Sequence, residues 1–105
     1  MAEFFIKRGD TSPSLQYTLS PTTDLTGATV VFNMSTANRS SVKVSRQTAV
    51  VVDAANGIVR YDWQSADTDT AGDFLGEFEV TYADTKVETF PNSDDIDISI
   101  GKDIA

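Results

Sequence analysis

The chain has 105 residues, 40% of them hydrophobic, with 16 acidic against 8 basic side chains, a net charge of −8, and neither cysteine nor histidine. That is chain enough for one domain spanning 1–105, with apolar material for a core. The composition excludes a disulfide framework, a cysteine-based metal site and every mechanism built on a histidine base or ligand.

No apolar run approaches the roughly 20 residues of a membrane span. The start, MAEFFIKRGD, has only Phe4, Phe5 and Ile6 in a row and no signal-peptide core. The expectation is synthesis in a cytoplasm and no membrane partner. The charge is uneven. Residues 1–60 carry six basic and four acidic side chains, and residues 61–105 carry two and twelve. Phosphate binding wants a basic face, so nucleic acid is not an expected partner. The acidity serves solubility, and the split also suits a subunit whose two sides meet across an assembly interface.

Phe4 to Arg8 reads as a first short strand, broken by Gly9-Asp10 and Pro13. Leu15, Tyr17 and Leu19 alternate with polar residues, as a half-buried strand requires. A loop over 20–24 and a turn at Asp24-Leu25-Thr26-Gly27 follow. Ala28 to Met34 is a β-branched strand with Val30, Phe32 and Met34 on one side. The polar stretch STANRSS reads as a hairpin loop, then Val42 and Val44 begin a weak strand and Thr48 to Asp53 form a stronger one. Asn56-Gly57 is the strongest hairpin signal.

From Gly57 to Tyr82 the alternation is clearest. Val59, Tyr61 and Trp63 share one side of a strand, and Phe74, Gly76, Phe78, Val80 and Tyr82 share one side of the next. Between them, Ser65 to Gly72 suits one helical turn, with Ser65 as N-cap and Gly72 as terminator. Ala83 to Lys86 is a tight turn into Val87–Phe90, and Pro91-Asn92-Ser93 breaks that strand. Ile96, Ile98 and Ile100 alternate in the last strand, ahead of a short tail from Gly101 to Ala105. Eight or nine short strands with frequent turns give the fold class: all-β, an antiparallel β-sandwich of Ig-like size, with an antiparallel barrel as the alternative. The shared parity puts Tyr17, Val30, Phe32, Val59, Tyr61, Trp63, Phe78, Val80, Ile96 and Ile98 in the core.

Three acidic groupings could carry chemistry. Asp67, Asp69 and Asp73 lie on one loop, as calcium ligands do, but the EF-hand spacing is missing, and a capped turn accounts for them. Asp95 and Asp97, next to Asp94, share an exposed strand face where charge discourages edge pairing. Glu79 would lie near Glu88 if the strands pair across the 83–86 turn, with Glu77 beyond; a carboxylate pair is what glycoside hydrolysis uses. These read as a solvated sheet face, so no catalytic residue, metal or cofactor is expected. Tyr61 and Trp63 could stack on a sugar, but their parity with Val59 assigns them to the core. Arg39, Lys43 and Arg46 cluster on or beside one polar hairpin and are the candidate interaction residues.

The ordered set of segments resembles a phage family. KRGDTSPSLQYTL, DLTGATVVFNM, VVDAANGIVRYDWQSADTDTAGDFLGEFEVTY and ETFPNSDDIDISI together are similar to the N-terminal domain of the upper baseplate proteins of tailed bacteriophages. The resemblance implies a β-sandwich that docks into a tail or baseplate assembly, with other phage structural proteins as partners and copies of itself in the particle. It implies localisation to the virion and no activity. In that family a linker and a distal receptor-binding part follow the domain, whereas this chain ends soon after Ile100, so the expectation is the docking module. The alternative function is a carbohydrate- or receptor-binding module, which would expose its aromatic residues.

Overall fold

The computed structural model describes residues 3–21 and 23–104. Thr22 of the expected 20–24 loop, Ala105 of the expected tail, and Met1 and Ala2 lie outside the described residues. The strands are β1 (Glu3–Lys7), β2 (Leu15–Thr18), β3 (Thr29–Thr36), β4 (Val42–Thr48), β5 (Val50–Asp53), β6 (Ile58–Tyr61), β7 (Gly72–Thr81), β8 (Val87–Phe90) and β9 (Ile96–Gly101). A single 3₁₀ turn, Ser65–Thr68, lies between β6 and β7.

The strands form two sheets around one core. The larger runs β1-β9-β7-β3-β4, with β8 also on β7, and the smaller runs β2-β6-β5. β7 is the spine. One side pairs with β3 from Thr81 to Phe74, and the other is shared, β9 taking Gly72–Gly76 and β8 taking Phe78–Thr81. Pro91 accounts for the division, because it lacks the N–H that one continuous strand would need there.

The alternating residues face inward as their parity requires. Val30, Phe32, Val59, Tyr61, Trp63, Phe78, Val80, Ile96 and Ile98 are all buried. Phe32 stacks on Tyr61 at 4.4 Å between ring centroids and meets Trp63 edge-on at 5.7 Å, so the two sheets join through an aromatic cluster. Gly76 is where β7 passes closest to its neighbours: a Cβ there would lie 2.6 Å from Ile98 Cδ1 and 3.1 Å from the Phe32 ring.

Five expectations need correction. Tyr17 is half-buried, because β2 is an edge strand; its ring stacks on Phe78 at 5.9 Å. The strand expected over Thr48–Asp53 is divided at Ala49, where the chain leaves the large sheet and enters the small one. The β1–β9 pair is parallel, which the long path between the chain's two ends permits. Ser65 is not the N-cap of the turn; Gln64 is, and the Asp67 carboxylate accepts its N–H at 2.8 Å. Gly72 does not end that turn, which is capped at Asp69, but opens β7.

Candidate docking surface

The three basic residues singled out on the β3–β4 hairpin each find a carboxylate in the second half of the chain. Arg39 reaches Asp95, Lys43 reaches Asp69, and Arg46 reaches Glu79 at 2.8 Å. Arg39 and Arg46 both have positive φ, 60° and 51°. Arg46 sits where the β3–β4 register slips, and its N–H donates to Asn33 Oδ1 at 2.7 Å. The bulge turns its side chain over β7. Much of the positive charge of residues 1–60 is therefore directed onto the acidic half of the same molecule. The arginine side chains still keep 64% and 62% of their surface in solvent, available to a second carboxylate.

The acidic groupings are dispersed. Asp67 is buried and accepts the Tyr61 hydroxyl at 2.6 Å, Asp69 meets Lys43, and Asp73 lies on β7. The hydrogen bond from Lys43, with a second from Thr70, holds the Asp69 carboxyl below its ordinary range. Thr68 is fully buried and donates to the Asp10 carbonyl, while its own carbonyl accepts from Gly9, so the turn is pinned beneath the end of β1. Asp95 and Asp97 do not shield a sheet edge, because β9 lies between β1 and β7. Glu79 stands opposite Thr89 and Glu88 opposite Val80, which puts the two glutamates on opposite faces of the sheet. Glu88 accepts from the Tyr82 hydroxyl at 2.7 Å. Among the described residues no group of three acidic side chains is placed to hold a metal ion.

The aromatic residues supply no stacking platform at the Tyr61–Trp63 position, where both rings are buried. Phe5 is different: it projects from β1 on the outer face of the large sheet and is 69% exposed.

Residues 20–103 match the protein family described as the BppU N-terminal domain. The chain belongs to this family. BppU is the baseplate upper protein, so the membership groups the chain with structural components of bacteriophage baseplates and virions. No curated protein sequence matches it. Among solved structures, CopC from Methylosinus trichosporium OB3b is similar with a TM-score of 0.58 at 8% identity, over 100% of this chain and 89% of that one. At that identity the likeness is one of fold alone.

The BppU N-terminal domain match begins after β2, so β1 and its exposed Phe5 lie outside the matched stretch. Sequence reasoning passed over Phe5. The signal available was parity: Phe4 and Phe5 are adjacent in a strand, so one of the two rings must face outward. Among the described residues no helix is long and apolar enough to cross a membrane.

Proposed function

We propose that the domain is a non-catalytic structural adaptor of a tailed-phage baseplate, working by contact with other particle proteins and with copies of itself. The observation that carries this reading is the family match over residues 20–103, most of the chain. Two features of the structure support it. The groups that chemistry would need are apart: Glu79 and Glu88 lie on opposite sheet faces, and Asp67, Asp69 and Asp73 have separate surroundings. Tyr61 and Trp63, the two rings that could have stacked on a sugar, are buried in the core, which favours an adaptor over the carbohydrate- or receptor-binding alternative.

Arg39, Lys43 and Arg46 belong to this proposal as a docking element that is already latched to the body of the domain. Their ion pairs pre-order the hairpin, which lowers the entropic cost of presenting it to a neighbour. Rim charges of this kind act mainly on association rate and its salt dependence.

Quantitative mass spectrometry of gradient-purified particles tests the reading. The chain should be present in fixed ratio to the other baseplate proteins. Its absence from intact particles would overturn the proposal.

A further inference from the structure

The outer face of the large sheet ends at β1, an edge strand that among the described residues pairs only with β9. Phe5 stands on that face, and the ladders place three carboxylates around it. Glu3 lies directly opposite Asp97, while Asp73 and Phe5 flank Ser99 on β9 from its two sides. Like charges directly opposite each other in a sheet are destabilising. Among the described residues none of the three carboxylates has an ion-pair partner, whereas Asp62, Asp69, Glu79, Asp95 and Asp103 each have an arginine or lysine of the same chain.

The surface is hollowed on both sides of Phe5. One hollow, of about 370 Å³, is lined by Glu3, Asp73, Leu75 and Asp97. The other, of about 420 Å³, is lined by Lys7, Asp10, Ser12 and Pro13. Phe5 lines both hollows, so a side chain that enters either one meets its exposed ring.

We propose that this corner docks an extended, basic segment of another particle protein. An apolar side chain of the segment covers Phe5, and its lysines or arginines neutralise Glu3, Asp73 and Asp97. The charge arrangement selects the occupant. A cation relieves the Glu3–Asp97 opposition, and an arginine gains further from the aromatic face of Phe5. An anionic segment adds to the repulsion, and a second copy of this chain brings its own net charge of −8 to the contact. The unpaired side of β1 offers main-chain groups to an extended chain, the usual way a strand is added to a sheet edge. The inference rests on the adaptor reading and adds to it the surface and the chemistry of the partner.

The test is a titration of the whole chain, followed by amide chemical shifts, with a synthetic peptide of alternating lysine and valine. A peptide of alternating glutamate and valine is the control. The lysine peptide should perturb β1, β9 and the first half of β7, and added salt should weaken the effect. Asp73→Lys with Asp97→Lys should weaken binding at least about tenfold, a change of ~1.4 kcal/mol. Phe5→Ser should weaken binding while leaving the melting temperature unchanged. Perturbation centred on another face, equal binding of the glutamate peptide, or indifference to the double reversal would overturn the inference. So would shifts that follow protein concentration alone, which would make a second copy the occupant. Particles that contain the chain while the peptide fails to bind would sink this inference and leave the adaptor role standing. Peptide binding by a chain missing from particles would remove the particle as the source of the segment, and with it the proposal.

Discussion

The Tyr61 hydroxyl donates to the Asp67 carboxylate at 2.6 Å, and both residues are buried. The bond joins the end of β6, in the small sheet, to the turn that carries the chain into β7, in the large one. The same carboxylate accepts the Gln64 N–H, so one side chain caps the turn and anchors it to the core. Tyr61→Phe would leave Asp67 buried with one donor fewer. The expected cost is about 1–3 kcal/mol, read by chemical denaturation with the fluorescence of Trp63, the sole tryptophan. A loss below ~0.5 kcal/mol would show that water replaces the tyrosine without penalty.

All three tyrosines resist ionisation. Burial is the first cause at each; Asp67 adds to it at Tyr61, Asp94 at Tyr17 and Glu88 at Tyr82. A folded pKa raised above the unfolded value of 10.0 gives a contribution fully present below pH 10.0. As the pH rises further, the unfolded chain ionises first and that contribution is lost. Tyrosinate absorbance of Tyr61 should therefore appear together with global unfolding. Full tyrosinate absorbance near pH 10 with Trp63 still native would contradict the burial of the Tyr61 hydroxyl.

The crossing of β7 with Ile98 and Phe32 leaves no room for a side chain at position 76. Gly76→Ala should destabilise by about 1–3 kcal/mol through overpacking. Phe78→Ala, at a fully buried position beside it, should cost roughly 3–5 kcal/mol through the cavity left behind. Denaturation midpoints check both. A neutral Gly76→Ala would mean that Ile98 swings aside freely.

Reversing Arg39, Lys43 and Arg46 to glutamate should destabilise the domain itself. Each new carboxylate would face Asp95, Asp69 or Glu79 of the same chain. The melting temperature should fall, and the loss should shrink as salt screens the repulsion. An unchanged melting temperature at low salt would show that the ion pairs do not hold the hairpin.

Strand identity and facing were legible because parity is local: Val59, Tyr61 and Trp63, or Phe74, Phe78 and Val80, declare their face without reference to any other strand. What joins distant segments was not legible. Nothing near Arg39 indicates Asp95, 56 residues away, and nothing in the TAVVVD run marks Ala49 as the crossing between sheets. Leu25 read only as part of a turn, yet it is buried and donates its N–H to the Ala54 carbonyl. Turn chemistry fixes a backbone conformation and does not say what the turn lies against. Asp67 was read correctly as a residue of a capped turn, while its burial against Tyr61 depended on the packing of two sheets.

Antibody labelling of purified particles under the electron microscope tests whether the domain is a built-in part of a phage baseplate. Label is expected at the tail tip of intact virions. Intact particles without label, with the protein found only in the soluble fraction of the lysate, would contradict it.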